Sequence, residues 1–573
     1  MTGLELVLLC LTVAAALRVI AERLKIPYAA ILVVGGLLLA LVPGLPEVTL
    51  DPDVLFLLFI PPLLYAGAIV FPLREFRREI GPIVRLSVVM VLVSTVAVAV
   101  VAHALYPAFT WPAAFALGAI ISPPDPVAVL SVMRSLRMPR EVQTILEGEG
   151  MVNDAAAIII YRFAIAAAAI GGFSLTSAVL RFFVGGAAGV AIGLLVGFVV
   201  TRVHRLVRAV PVVSNMVSLL TPFASFLLAD TLGASGVLAV VTTGLYAARR
   251  VPRIIGAEGR LQVSGMWTVI TFVLESLIFI LVGLELPYVL RALDRLPLST
   301  LLLESAIVSV VVIGIRIAWV MPSSYLFRAF FRWLRRSREP LPPWRTVAFI
   351  AWSGLRGGDS LVLALAVPLT TVSGAGFPAR EQIIFITFSV IFITLVVQGP
   401  TLAPVARWLR IASSDEREDG VEEAHARLAA AEEGLKILED PAIAGSAYPE
   451  VVRYLKQRHR QRARRWAARE DDEDAHRAMA ASEIAHQHFT LAPSHDAASI
   501  DERRAEEYRR VRAVMMDAEQ KAVTSLRDRG VIGDDVMRRI QRDLDLETML
   551  LETSEPVIET VSEVPSAIDR KGG

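Results

Sequence analysis

Over its first 410 or so residues the chain is a succession of long apolar runs, broken only by short clusters of Pro, Gly and Arg. Runs of roughly 18 to 25 apolar residues match a helix that crosses a hydrocarbon core about 30 Å thick. Lipid leaves no water for unpaired peptide groups, so such runs form helices rather than open sheet. The expected fold class is therefore an all-α polytopic membrane protein, with residues 1–410 as the transmembrane part. About thirteen spans are expected, centred near residues 10, 35, 62, 94, 122, 157, 190, 221, 242, 276, 312, 357 and 395.

The rest of the chain is of another kind. Residues 411–555 are dense in Arg, Asp and Glu, with i, i+4 charge pairs typical of solvated helices, and are expected to form a helical cytoplasmic region. The tail 556–573 is expected to be disordered. The net charge of +1 sums two unlike parts and gives no reason to expect a nucleic-acid partner. The single cysteine, Cys10, lies in the first apolar run and excludes an intramolecular disulfide. That run has no basic segment before it, which argues against a secretory signal.

Basic residues fall in alternate connections: Arg18, Arg23 and Lys25; Arg74, Arg77 and Arg78; Arg134, Arg137 and Arg140; Arg202, Arg205 and Arg208; Arg249, Arg250 and Arg253; and the segment RAFFRWLRRSREP. The positive-inside rule makes these cytoplasmic, with the N-terminus outside and the charged C-terminal region inside. An odd number of spans satisfies both ends.

Two spans are broken in their middles. FALGAIISPPDPVAVLSVM places three prolines within four residues, and AFIAWSGLRGGDSLVLALAVP places three glycines around Arg356. Non-helical backbone at that depth is tolerated only inside protein or along a water-filled cavity. If spans four to six and eleven to thirteen are repeats, a displacement of seven spans inverts one against the other. The two breaks then occupy corresponding places, the pattern that marks a transporter's substrate site.

Buried charge gathers near the same breaks: Asp125 in the first, Glu149, Asn153 and Asp154 in span six, Glu275 in span ten, Arg316 in span eleven, and Arg356 with Asp359 in the second. Charge at that depth needs a partner or a task. Glu149 and Asn153, four residues apart, share a helix face. Asp154 is turned about 100° from Asn153 and about 140° from Glu149. This offset suggests Glu149 as the structural partner of an arginine and Asp154 as the free site. Arg162, about 12 Å further along the helix, is expected to snorkel toward the headgroups.

The segments ISPPDPVAVLSV, GEGMVNDAAAIIIYR and SGLRGGDSLVLALAVP together resemble the bacterial sodium/proton antiporters of the monovalent cation:proton antiporter superfamily, in the electroneutral Asn-Asp branch. FLLFIPPLLYAGAIVFPLREFRRE, SGVLAVVTTGL, FVLESLIFILVGLEL and the C-terminal GVIGDDVMRRIQRDLDLETMLL extend the resemblance over nearly the whole chain. It implies a homodimer of thirteen-helix protomers in the cell membrane, a core of spans four to six and eleven to thirteen, and two unwound helices that cross at the ion site. It implies Na⁺ and H⁺ as substrates, with Asp154 binding them in turn, Asn153 supporting it and Asp125 in the crossing. Glu149 is implied to pair with Arg316, and Arg356 to be the arginine of the other break. Ser122, Asp359 and Glu275 are further candidates for the ion site, and no resident cofactor is expected.

The chain departs from the family pattern at several positions. Gly150 stands where Ser is usual, one turn before Asp154, and removes a hydroxyl ligand. Pro124 replaces a small residue, Ala66 stands where some relatives place an acid, and Glu275 stands where Asn is frequent. Asp359 adds an acid to the second break.

Physical chemistry supplies a mechanism without the family. A carboxylate taken from water favours its protonated form and a nearby cation favours the ionised form, so proton and cation compete for one site. Reorientation of the occupied site then couples the two flows, with unwound carbonyls near residues 122–125 as further ligands. K⁺/H⁺ exchange is the alternative, and a channel is a third class. An intramembrane hydrolase is disfavoured, because GGDSL at 357–361 lies inside a span rather than after a strand. The histidines His486, His488 and His495 are read as solvated, and His103 as interfacial.

Overall fold

A computed structural model describes residues 3–24, 28–42, 51–71, 85–106, 109–125, 129, 140–170, 175–293, 297–335, 343–372, 374–411, 415–445, 447–471 and 498–553. The chain divides into two compact units, Met1–Glu416 and Arg417–Gly573. Among the described residues there is no strand, only an isolated antiparallel bridge between Thr370 and Gly376.

The first unit is helical: α1 Gly3–Leu24, α2 Tyr28–Ala40, α3 Pro52–Val70, α4 Met90–Leu105, α5 Trp111–Ile121, α6 Arg140–Ile170, α7 Leu175–Leu206, α8 Pro211–Thr231, α9 Gly236–Arg250, α10 Ala257–Ala292, α11 Leu298–Arg335, α12 Trp344–Trp352, α13 Gly358–Leu365 and α14 Arg380–Ile393. α14 runs on through a wide π turn, Thr394–Gln398, and after a short turn into α15, Leu402–Trp408. Eight described helices are long and apolar enough to cross a membrane, and α2 and α5 are shorter apolar helices. Each of the thirteen span centres falls on a helical segment or at one of the two breaks.

Local chemistry sets the ends that matter. Asp51 caps α3 by accepting from the Asp53 N–H at 2.8 Å. Thr110 caps α5, with Pro112 in the first turn where a missing N–H costs nothing. α5 stops at Ile121 because Pro123, Pro124 and Pro126 cannot continue it. α12 stops at Trp352, Ser353–Gly357 is non-helical, and α13 resumes at Gly358.

Packing sorts the helices into two groups. α4, α5 and α6 lie against one another, and α11, α12, α13 and α14 pack with them, while α2 lies along α10 and α9 is surrounded by α3, α7 and α8. α2 and α10 approach so closely that a methyl on Gly36 would strike the Ile280 carbonyl, and one on Gly283 the Val33 carbonyl. Without a hydrophobic drive between helices in lipid, such backbone approach is how they gain dispersion contact.

The second unit is built from α16 Asp415–Ile437, α17 Pro449–Asp471, α18 Ala498–Arg529 and α19 Asp534–Thr553. Its interior holds charge as well as apolar side chains. Glu519, 1% exposed, accepts from Arg512 Nη1 at 2.7 Å and lies 3.0 Å from His459 Nε2, while Arg512 also reaches Glu547 at 2.8 Å. Burial alone raises a carboxyl, but the hydrogen bond from His459 and the charges of Arg512 and Arg462 prevail and hold Glu519 at about 2. A lowered value means that the stabilisation is present above the ordinary 4.5 and is lost as pH falls through about 2. That difference corresponds to about 3 kcal/mol. Hydrogen–deuterium exchange of α18 peptides in the full chain is expected to lose protection as pH drops below about 4.5. Protection unchanged between pH 6 and 3, after correction for intrinsic rates, would contradict this. The expected tail 556–573 and the histidines His486, His488 and His495 lie outside the described residues.

Candidate functional site

The two broken segments meet, and their freed backbone groups satisfy one another. The Asp125 N–H donates to the Leu355 carbonyl at 2.8 Å. The Arg356 side chain, wholly buried, donates from Nε to the Ile121 carbonyl at 2.6 Å and from Nη1 to the Gly354 carbonyl at 2.8 Å. Its backbone N–H reaches Thr394 Oγ1 at 3.2 Å, the first residue of the π turn after α14. Unpaired peptide groups are costly at membrane depth, and one arginine here supplies donors to a carbonyl from each break.

Glycines at the crossing make room. A methyl on Gly357 would collide with the Asp125 carboxylate, and one on Gly354 with the Arg316 side chain. Side chains from the first break and from α11 therefore occupy space that only glycine leaves free.

On α6 the polar residues divide by face. Glu149 receives Arg316 through both nitrogens, Nη1 to Oε1 and Nη2 to Oε2, the latter at 2.9 Å, and Nη2 also donates to the Ile350 carbonyl at 3.1 Å. Both side chains are at most 2% exposed. The Asn153 amide donates to Glu149 Oε1 at 3.4 Å, whereas its Oδ1 is buried and makes no hydrogen bond among the described residues.

Asp154 lies on the other side. It is 8% exposed, forms no hydrogen bond among the described residues, and has Asp359 and Asp125 within electrostatic reach. Asp125, Asp359 and Glu275 each retain accessible surface, although Asp359 and Glu275 sit deep among protein atoms. Each of these three carboxyl residues therefore keeps some surface that water can reach. Glu275 accepts a hydrogen bond from the Tyr28 hydroxyl. The acids do not converge into a tight metal cage: no group of three or more His, Cys, Asp or Glu among the described residues is placed to hold a metal.

The expected residues have specific partners. Asn153 spends its amide on Glu149 rather than on its neighbour Asp154. Arg356, the arginine of the second break, donates to backbone carbonyls. Beside the expected carbonyl ligands near residues 122–125, the Ile121 and Leu355 carbonyls are engaged, and the Ser122 hydroxyl bonds to the Gly118 carbonyl at 2.6 Å and to Thr95 Oγ1 at 3.1 Å. Arg162 is partly exposed near the end of its helix. It pairs with Asp230 on α8 at 2.6 Å and lies over the rings of Phe56 and Phe226. His103 is held by the Phe109 carbonyl at 2.7 Å and stacks on Trp111.

Sequence reasoning did not name Tyr28, Thr394 or Asp230 as partners of Glu275, Arg356 and Arg162. Each is a lone polar residue in or beside an apolar run, and its partner is remote: 247 residues separate Tyr28 from Glu275. No periodicity within one helix reports such a contact.

Residues 7–408 match the family model described as sodium/hydrogen exchanger, transmembrane. The chain is 34% identical over 547 residues to a Mycobacterium tuberculosis (strain ATCC 25618 / H37Rv) protein named an uncharacterized Na⁺/H⁺ exchanger, covering 93% of each. It is 32% identical over 406 residues to a Bacillus subtilis (strain 168) protein named a sodium, potassium, lithium and rubidium/H⁺ antiporter, covering 68% of this chain and 59% of that one. The solved structure of the sodium proton antiporter MjNhaP1 from Methanocaldococcus jannaschii superposes with a TM-score of 0.54 at 22% identity, covering 71% of this chain and 98% of that one. At that identity the likeness establishes a shared fold.

Proposed function

The chain belongs to the sodium/hydrogen exchanger family, and from that premise we propose that it exchanges Na⁺ for H⁺ across the cell membrane by alternating access, with proton and cation competing for Asp154. The observation that carries this reading is Asp154 itself: a deeply buried carboxylate without a hydrogen-bond partner among the described residues, on the helix that faces two broken spans. A buried acid that no protein group satisfies is a poor structural element and a good exchange site. Asp125 stands in the crossing, and the pair of Glu149 with Arg316 and the clamp of Arg356 hold the surrounding backbone.

In this reading its N-terminus lies outside and its charged C-terminal unit in the cytoplasm, as the alternating basic connections support, and a homodimer follows from the family resemblance alone. α4–α6 and α11–α14 form the moving core, and the other helices the scaffold. A broader cation range is the second reading, favoured by the relative whose name includes potassium, lithium and rubidium.

Purified protein in liposomes with an internal pH-sensitive dye tests both readings. Added Na⁺ is expected to drive proton movement that saturates with concentration, and parallel additions of Li⁺ and K⁺ measure the range. Proton movement no greater than in protein-free liposomes for every cation would sink the antiport assignment, and single-channel currents would replace it with a channel.

A further inference from the structure

A transported alkali cation must exchange its water for oxygen ligands, and the oxygens available near Asp154 are few. Gly150, one turn before Asp154, offers no side-chain oxygen. The Ser122 hydroxyl is engaged with Gly118 and Thr95. The carbonyls of Ile121, Gly354 and Leu355 are engaged by Arg356 and by the Asp125 N–H. Glu275 is held by Tyr28.

Asp359 is different. It stands in the first turn of α13, immediately after the second break, keeps accessible surface, and accepts no hydrogen bond among the described residues. It lies within electrostatic reach of Asp154, which is itself more than nine-tenths buried and unpartnered. The buried Oδ1 of Asn153, next to Asp154 on the chain, is a further oxygen without a partner among the described residues. Two carboxylates within electrostatic reach of each other in low dielectric repel strongly unless positive charge lies between them. Protein usually relieves such repulsion with a lysine or arginine, but here Arg316 is paired with Glu149, and Arg356 gives Nε and Nη1 to carbonyls while its buried Nη2 bonds to neither acid.

We propose that Asp359 is a second direct ligand of the transported cation, opposite Asp154, and that it sets a preference for small alkali cations. This rests on the reading of Asp154 as the exchange site. Coulomb energy grows as the inverse of distance, so each added carboxylate favours Na⁺ and Li⁺ over K⁺ more than a neutral oxygen does. The carboxylate of the second break stands in for the hydroxyl that position 150 lacks.

The test measures half-saturating Na⁺, Li⁺ and K⁺ for proton movement in liposomes, with the full-length wild type, Asp359→Asn and Asp359→Glu. Asp359→Asn is expected to raise half-saturating Na⁺ about tenfold and to narrow the preference over K⁺. Asp359→Glu keeps the charge but moves the carboxylate by one methylene, and is expected to change the Na⁺ to K⁺ ratio of half-saturation by about threefold or more. A residue that only supports the fold would not move that ratio. An unchanged ratio in Asp359→Glu, or unchanged half-saturation in Asp359→Asn, overturns the proposal. If Asp359→Asn gives no folded protein, the Glu variant decides alone. Exchange that is lost in Asp154→Asn but indifferent to position 359 removes only this inference, whereas absent exchange in the wild type removes the antiport reading with it.

Discussion

Asp154→Asn is expected to reduce Na⁺-dependent proton movement in liposomes to the level of protein-free vesicles while the protein stays folded. The amide matches the carboxylate in shape but neither ionises nor carries a proton away, so the exchange cycle loses the one group at which both substrates compete. Stability is expected to survive because no protein hydrogen bond to Asp154 is lost among the described residues. Removing an unpartnered buried acid relieves a desolvation cost and repulsion from Asp359 and Asp125, so the melting temperature should hold or rise. Exchange that persists in a folded Asp154→Asn protein would move the site elsewhere, and a collapsed melting temperature would make Asp154 structural.

Glu149 and Arg316 should behave in the opposite way. Each is buried, and each is the other's charge partner through two hydrogen bonds. Removing one leaves an uncompensated charge in low dielectric, which costs about 3–5 kcal/mol. Glu149→Gln and Arg316→Met are each expected to lower the melting temperature and the yield of monodisperse protein. The double variant, which removes both charges, is expected to be more stable than either single one, since it leaves no uncompensated charge in low dielectric. Additive losses across this cycle would show that the two side chains act independently. Gly354 limits how freely the site relaxes, because the Arg316 side chain lies directly against it.

These contrasting expectations trace to one helix, and the spacing along α6 anticipates the contrast. Side chains five positions apart on a helix cannot share a face, so Glu149 and Asp154 had to look at different neighbours. The two breaks were legible for the same reason, since proline and clustered glycine act on their own backbone regardless of context. The identity of the neighbours was not legible. Arg356 illustrates the difficulty: a buried guanidinium beside several acids suggests an ion pair, yet its strongest contacts are carbonyls released by both broken helices. Arg162 is similar, its aromatic rings and Asp230 lying on α3 and α8.

What the sequence determined by itself is what local chemistry and the bilayer enforce: apolar runs of spanning length, two interrupted spans, a separate charged region, and the opposed faces of α6. Tertiary structure alone decided which oxygens remain for a cation, because that depends on hydrogen bonds between segments more than two hundred residues apart. Arg356 meets Ile121 across 235 residues, and only that closure, with the turn of Ser122 back onto its own helix, leaves the carboxylates of Asp154 and Asp359 unclaimed. A sequence lists the polar groups of a site, whereas their mutual satisfaction, which fixes the ones left free to bind, is a property of the packed chain.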